Sequence, residues 1–132
     1  ARRQRQMCIR DSIATLENDE KLLFLDDFNL KEPGLNTVIR SSFELLGLQT
    51  FFTCGDNEVR AWTISTNTPA PLAAGSIHTD FERGFIKAEV FNYKDIFEYG
   101  AEKGLKEQGL IRQEGKTYIV QDGDCIFFKF NV

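Results

Sequence analysis

The stretch from residue 48 to residue 91 constrains the fold of this chain more than any other part. Two runs rich in β-branched and aromatic residues, 48–54 and 58–64, are separated by Gly55-Asp56-Asn57. Short breaks of glycine, aspartate and asparagine between such runs are typical of β-hairpins. Residues 86–91 then alternate apolar with charged side chains, which is the period of a strand. The stretch therefore predicts a hairpin and a third, returning strand.

A short helix is predicted between the hairpin and the third strand. Pro69 and Pro71 interrupt residues 66–71, and because proline cannot donate to a sheet ladder, this segment is expected to stay outside the sheet. The apolar residues that follow at helical spacing are Ala73, Ala74, Ile77 and Phe81. Gly84 is expected to end the helix in the left-handed conformation. A helix laid across a small sheet predicts an α+β fold.

Residues 92–109 are predicted to form a further helix. Asp95 is its expected cap, with Glu98 three residues on as the reciprocal carboxylate. The expected apolar face consists of Phe97, Ala101 and Leu105. Gly100 and Gly104 each weaken helix propensity by about 1 kcal/mol relative to alanine, so we expect them to allow close backbone approach.

The C-terminal residues 110–132 are predicted to form a second β-hairpin. Runs 117–120 and 125–130 flank Asp122-Gly123, and Asp-Gly is among the strongest short hairpin signals. Alternation along the second run places Ile126, Phe128 and Phe130 on one face and Cys125, Phe127 and Lys129 on the other.

Residues 13–47 are predicted to be helical, with a break at 31–34. The apolar residues of the second segment are Leu35, Val38, Ile39 and Leu46, at helical spacing, and Gly47 is its expected end. The first segment carries Leu22, Leu23, Leu25 and Phe28.

Residues 1–12 differ from the rest, because they are basic and have no clear period. The chain carries a net charge of −4, of which residues 1–12 contribute +3, so the remainder carries −7. Two interpretations of this head are open: a basic arm that touches nucleic acid, and a foreign remnant or unstructured tail. Composition favours the second. An acidic remainder is a poor general nucleic-acid binder, so any RNA contact has to be local.

Composition limits the cellular compartment and the class of protein to which this chain can belong. The apolar fraction of 42%, with twelve phenylalanines, is enough for a core. No run reaches the 18 or so apolar residues that a membrane span needs. Cys8, Cys54 and Cys125 lack metal-ligand or CxxC spacing, and an odd, sparse count fits a reducing, cytoplasmic compartment.

The triplet Gly115-Lys116-Thr117 resembles the end of a phosphate-binding loop but lacks its context. Such a loop is G-x-x-x-x-G-K-[ST] between a strand and a helix, whose N-terminal N–H groups hold the phosphate. Here Gly109 stands one residue too far upstream, and a strand rather than a helix is predicted to follow. We expect a turn that leads into a strand.

His78 is the only histidine, and it lies in a dense polar run. A catalytic hypothesis pairs it with Asp80 or Cys54, but residues two apart on one helix point away from each other, so direct pairing with Asp80 is not expected. One histidine with scattered carboxylates is too few ligands for a metal. We therefore expect no catalytic or metal site, and take His78, Arg83 and Lys87 as candidate contacts to RNA or protein.

Trp62 lies in the middle of a predicted strand. Such a tryptophan usually fills the core or covers a sheet face, and base stacking is open to it only if it is exposed. Phe51, Phe52 and Phe85 are expected in the core.

Five runs together resemble the TGS domain of the YchF / Obg-like ATPase family. They are TFFT with the following Gly55, EVRAWTI at 58–64, APLAAG at 70–75, IHTDFERGFI at 77–86 and DGD at 122–124. The resemblance covers about residues 13–132. Cys54 stands where the family usually has a small residue such as alanine.

The resemblance implies a β-grasp-like (ubiquitin-like) TGS domain at 48–132, with a mixed sheet clasping a helix. It implies that residues 13–47 are the closing helices of a nucleotide-binding domain. Their apolar faces would then lack the sheet that they cover, so we expect exposed apolar surface there, which marks a missing partner. The parent protein is expected to bind and hydrolyse ATP or GTP with Mg²⁺ and to associate with the ribosome, through rRNA or a ribosomal protein. This chain is expected to bind no nucleotide or cofactor and to contact neither DNA nor a membrane. An alternative is a purely intramolecular module that closes over the ATPase core.

Overall fold

The structure, a computed structural model, describes residues 12–13, 15–27, 30–55, 58–100 and 102–131. They divide into two compact units, Ala1–Leu46 and Gly47–Val132. Apart from Ser12, the basic head at 1–12 lies outside the described residues. None of the helices in the described part of the chain is long and apolar enough to cross a membrane.

The first unit contains helix α1 (Asn18–Asp27) and helix α2 (Gly34–Leu46). The break between them falls at the predicted Pro33-Gly34. Seven of their large apolar side chains are between 48% and 88% exposed: Leu22, Leu23, Leu35, Val38, Ile39, Leu45 and Leu46. The predicted exposed apolar surface is therefore confirmed for the described residues.

The second unit is a mixed five-stranded sheet with helices on both faces. Its elements in order are β1 (Leu48–Cys54), β2 (Val59–Ser65), α3 (Ala70–Gly75), α4 (Thr79–Arg83), β3 (Phe85–Asn92), α5 (Tyr93–Tyr99), α6 (Glu102–Glu107), β4 (Arg112–Glu114) and β5 (Asp124–Phe130). The strand order is β2-β1-β5-β3-β4. The β1–β5 pair is parallel, and the other pairs are antiparallel. The predicted α+β, β-grasp-like fold is confirmed.

The main core lies between α3 and one face of the sheet. Its fully buried members include Phe51, Ala73, Ala74, Ala88 and Val90. The small alanines let α3 lie close to the strands, so the aromatic side chains of β1 and β5 fill the space around it. We call this side of the sheet the helix face, and the other side, where Leu105 of α6 is fully buried, the cavity face.

An irregularity in β3 decides which residues point to which face. The pairing with β5 shifts between Phe85 and Lys87, which leaves Ile86 as an extra residue. Because of this bulge, Phe85 shares the helix face with Ala88 and Val90, although strict alternation would put it on the other side. Lys87 points to the cavity face.

The helix predicted over 73–81 is in fact two helices. His78 has an extended backbone (φ −158°, ψ 140°) and caps α4, so the chain breaks after α3 and restarts. The prediction for Gly84 was also wrong, because its φ is −88°. Gly84 is needed for a different reason: a Cβ there would lie 2.2 Å from the carbonyl oxygen of Asn131.

The helix predicted over 92–109 is also two helices, α5 and α6. Gly100, at φ +79°, ends α5 in a conformation that glycine adopts readily. Asn92, rather than Asp95, is the cap, and Asp95 is the reciprocal carboxylate of the capping box. The expected close approach is confirmed only at Gly104, where a Cβ would lie 2.2 Å from the carbonyl oxygen of Tyr99. Phe97 is 85% exposed and does not share a buried face with Leu105.

The predicted C-terminal hairpin was wrong. Residues 117–120 make one isolated bridge, Ile119 to Pro69, and β5 pairs instead with β1 and β3. Pro69 takes part without donating, because the N–H groups of Ala70 and Val120 supply the flanking hydrogen bonds. The expectation that residues 66–71 stay outside all pairing fails at this one bridge.

Candidate binding surface

Helix α4 and its N-cap residue carry two of the candidate contact residues, and an aromatic stack fixes the helix to the sheet. The ring of Phe81 lies 3.9 Å from the ring of Phe130, nearly parallel to it. The backbone after α4 is held as well, because Asn131 donates its N–H to the carbonyl oxygen of Gly84 at 2.9 Å. A helix of five residues has little stability of its own, so these contacts determine its position.

His78 lies at the start of α4 with its side chain 60% exposed. Its Nδ1 accepts a hydrogen bond from the backbone N–H of Asp80 at 3.2 Å. The same Nδ1 is 3.5 Å from Oδ2 of Asp80. The prediction that these side chains do not approach each other was wrong, because His78 precedes the helix instead of lying on it.

The proximity of His78 and Asp80 does not make a catalytic pair. A nitrogen that accepts from an N–H has no proton to donate to a carboxylate, so the imidazole is not oriented by Asp80 as a general base would be. Both side chains are also well exposed, at 60% and 45%. The His78 side chain is instead open to a partner from solvent, because it is 60% exposed.

Arg83 and Lys87 lie on different sides of the sheet. Arg83 is exposed in the last turn of α4, on the same helix that His78 caps. Lys87 is half-buried on the cavity face, and its Nζ donates to Oε1 of Gln113 at 3.0 Å. The structure therefore groups His78 with Arg83 and separates Lys87 from them.

Gly115-Lys116-Thr117 does not form a phosphate site. The triplet is a turn after β4, in which the N–H of Tyr118 donates to the carbonyl oxygen of Gly115 at 3.2 Å. No helix begins there, so no set of free N–H groups points at a phosphate. Within the described ranges, no group of three or more His, Cys, Asp or Glu residues could hold a metal ion.

Sequence reasoning missed a cavity of about 610 Å³ between the cavity face and α6. Its apolar lining includes Phe91, Phe127 and Leu105, and Cys54 lies in its wall. Cys54 is close enough to Cys125 to contribute, after burial, to raising the pKa of the Cys125 thiol to about 12. A sequence signal for a second covered face of the sheet was present in β5. Apolar residues occupy both faces of this strand, as expected for a strand that is covered on both sides.

Trp62 packs against the main core and is half-buried. Its indole Nε1–H donates to Oγ1 of Thr53 at 2.9 Å, and the Arg60 guanidinium lies 5.4 Å above its ring. The prediction that Trp62 fills the core or covers a sheet face is confirmed.

Comparison with known proteins gives the family. The family described as YchF-GTPase_C, a protein of unknown function (DUF933), matches residues 48–131. The chain is 56% identical over 124 residues to the ribosome-binding ATPase YchF of Haemophilus influenzae, and 52% identical over 116 residues to the Obg-like ATPase 1 of Bos taurus. These matches cover 94% and 88% of this chain, but 34% and 29% of the relatives.

A solved structure agrees with this assignment. The YchF GTPase of Schizosaccharomyces pombe superposes with a TM-score of 0.74 at 36% sequence identity, over 89% of this chain and 31% of the other. The chain thus spans about a third of the length of the relatives that it matches. It belongs to the YchF family, and residues 48–131 are the part that corresponds to the family's C-terminal domain.

Proposed function

We propose that this chain is the docking and regulatory module of a YchF-like, ribosome-associated protein of the cytoplasm. Relatives at 52–56% identity are named ribosome-binding ATPases, which supports a ribosomal partner. The parent protein binds and hydrolyses ATP or GTP with Mg²⁺, and that chemistry belongs to residues other than these. Accordingly, an equilibrium titration of this chain with nucleotide and Mg²⁺ should detect no binding.

The proposed module is the second unit, the TGS domain at 48–132. Residues 13–47 are assigned to the closing helices of the parent's nucleotide-binding domain. The exposure of apolar side chains such as Leu23, Leu35 and Leu45 on α1 and α2 supports this assignment, because helices that cover a sheet present apolar side chains to it.

The observation that carries the docking proposal is the presentation of His78 and Arg83 by one anchored helix. The Phe81–Phe130 stack holds α4 in place, so both side chains reach solvent from a fixed backbone. A guanidinium donates two parallel hydrogen bonds to a phosphate, and it does so without requiring a generally basic surface. This suits a local contact to rRNA, or to an acidic group of a ribosomal protein, by a domain that is acidic overall.

Co-sedimentation with ribosomes tests the proposal. We expect the wild-type chain to pellet with ribosomes and Arg83→Ala to pellet about tenfold less, the loss of one good charged contact. Lys116→Ala removes an exposed cation from the turn after β4 and is the matched control. Lys87→Ala tests the cavity face separately. Equal pelleting of wild type and of both Arg83→Ala and His78→Ala would exclude α4 as the docking element.

A second candidate is a module that closes over the ATPase core within the parent molecule. The exposed apolar side chains of α1 and α2 support it as well, because exposed apolar surface often has a partner, and that partner can lie within the parent. The two candidates differ in one result: an intramolecular module alone leaves ribosomes unbound at every concentration tested.

A further inference from the structure

Strand β2 is an open edge of the sheet. It lies at one end of the strand order, and among the residues that the structure describes it pairs, along all seven of its positions, with β1 alone. The other edge strand, β4, has only three residues. Five of the seven β2 residues are exposed: Val59, Arg60, Ala61, Thr63 and Ser65.

The hydrogen bonds at the two ends of the hairpin show which β2 residues face β1. The N–H of Gly55 donates to the carbonyl oxygen of Glu58 at 2.8 Å, and the N–H of Thr66 donates to that of Gly47 at 2.8 Å. The register between these ends is unbroken. In an antiparallel ladder, hydrogen-bonded and non-bonded pairs alternate.

The alternation fixes the direction of every backbone group in β2. Arg60, Trp62 and Ile64 direct their N–H and C=O groups at β1. The remaining residues, Val59, Ala61, Thr63 and Ser65, direct theirs outward, and all four are exposed. Such a row of outward donors and acceptors is a template for another strand.

We propose that this edge pairs with the β2 edge of a second copy of the chain, antiparallel and centred on Trp62. In that register Ala61 faces Thr63 of the other copy, and Val59 faces Ser65. Every outward residue then exchanges both of its hydrogen bonds, giving about eight across the two-fold axis. The two sheets become one continuous sheet.

The side chains suit this register from both faces. Trp62 lies opposite its own copy at a non-hydrogen-bonded position, where cross-strand side chains are closest and aromatic pairs are favourable. Ala61 and Thr63 are small and uncharged, and Arg60 faces Ile64, so no like charges oppose each other. Strand β2 also has no proline or lysine, the residues that commonly block edge pairing.

The contact is small, because one strand a side buries less than a standard interface. The dimer is therefore weak, with a dissociation constant on the order of tens to hundreds of micromolar. Sedimentation equilibrium between about 5 and 500 μM should show a shift from monomer to dimer across this range. Trp62 is the only tryptophan, so its emission reports the same transition.

A charge pair at positions 61 and 63 tests the register itself. Ala61→Lys with Thr63→Lys places two lysines directly opposite each other at both symmetric sites and should abolish the dimer. Ala61→Glu with Thr63→Lys places opposite charges there and should dimerise at least as tightly as wild type. The two variants change the same exposed positions, so circular dichroism should find both folded.

Three results overturn the proposal. The first is a wild-type chain that stays monomeric at about 500 μM. The second is a di-lysine variant that dimerises like wild type, and the third is a Glu/Lys variant that folds but does not dimerise. If the di-lysine variant does not fold, mixing the single variants Ala61→Glu and Thr63→Lys tests the register instead. The two introduced charges lie opposite each other in this register, so the two variants must form a heterodimer.

Discussion

Tyr118 donates its hydroxyl proton to Oδ2 of Asp124 at 2.7 Å, and this bond ties the segment after β4 to the first residue of β5. Asp124 is 1% exposed, and the backbone N–H of Gln121 donates to the same oxygen at 2.9 Å. A buried carboxylate needs such donors, because water cannot reach it. The isolated bridge of Ile119 to Pro69 lies within the segment that this bond holds.

Removing the Tyr118 hydroxyl should destabilise the domain. Tyr118→Phe keeps the ring but leaves Asp124 with one donor fewer, which costs about 1–3 kcal/mol for a buried acceptor. Urea unfolding followed by circular dichroism measures the loss. Tyr99→Phe, on an exposed tyrosine, is the control and should change the unfolding midpoint little. Equal midpoints for Tyr118→Phe and wild type would mean that the hydroxyl contributes nothing.

The same tyrosine should make the domain sensitive to alkaline pH. Burial, and then the bond to Asp124, raises the pKa of Tyr118 from 10.0 to about 12. The folded state therefore keeps this proton after the unfolded chain has lost it, so the contribution to stability is complete below pH 10 and disappears as pH rises to about 12. The free energy of unfolding of wild type should fall more steeply over this window than that of Tyr118→Phe. Parallel pH profiles would contradict the assignment.

The two described cysteines should differ in reactivity. Burial, and after it the neighbouring Cys54, raises the pKa of the Cys125 thiol to about 12, and this residue is 2% exposed. Cys54 is half-buried in the cavity wall. In single-thiol variants that also carry Cys8→Ser, a disulfide reagent at pH 8 should label Cys54 at least about tenfold faster than Cys125, because the thiolate is the reactive form. Similar labelling rates for the two cysteines would show that the structure on the cavity face opens readily and exposes Cys125 to the reagent.

Gly84 should tolerate no side chain. A Cβ there would lie 2.2 Å from the backbone oxygen of Asn131, and backbone cannot give way as a flexible side chain can. Gly84→Ala should therefore cost about 1–3 kcal/mol in the free energy of unfolding. Gly115→Ala is the control, since nothing lies within 4 Å of a Cβ there and its φ is not positive. Equal thermal midpoints for the two variants would contradict the close contact.

Sequence patterns predicted the parts of the fold whose signal and pairing are both local. The first hairpin was predicted at 48–54 and 58–64, and the strands are Leu48–Cys54 and Val59–Ser65. Its turn and its two alternating runs are adjacent in the chain, so nothing distant is needed to specify it.

The error at β5 shows where local reasoning stops. Asp122-Gly123 is a turn, with Gly123 at φ +82°, but it turns the chain onto β1 and not onto residues 117–120. The backbone N–H of Thr50 donates to Oδ1 of Asp122, and Gly123 donates its N–H to the carbonyl oxygen of Thr50. These partners lie some seventy residues apart in sequence, and an Asp-Gly signal carries no information about them.

Sequence patterns could nominate candidate contact residues one by one, but they could not place them on a common surface. Alternation placed Lys87 opposite Ala88 and Val90, but it could not relate Lys87 to Arg83, because the bulge between Phe85 and Lys87 resets which residues share a face. The position of His78 relative to Asp80 depended on an extended residue between two helices, where a continuous periodic pattern predicts one helix. Irregular residues of this kind are set by packing, which no local pattern encodes.

Competition on the ribosome tests the docking role most directly. Ribosomes of Haemophilus influenzae would be loaded with that organism's full-length YchF, the 56% identical relative, and titrated with this chain. We predict that an excess of wild-type chain displaces the full-length protein, and that Arg83→Ala displaces it much less than Lys116→Ala. Full-length protein that stays bound at every concentration of this chain would contradict the account.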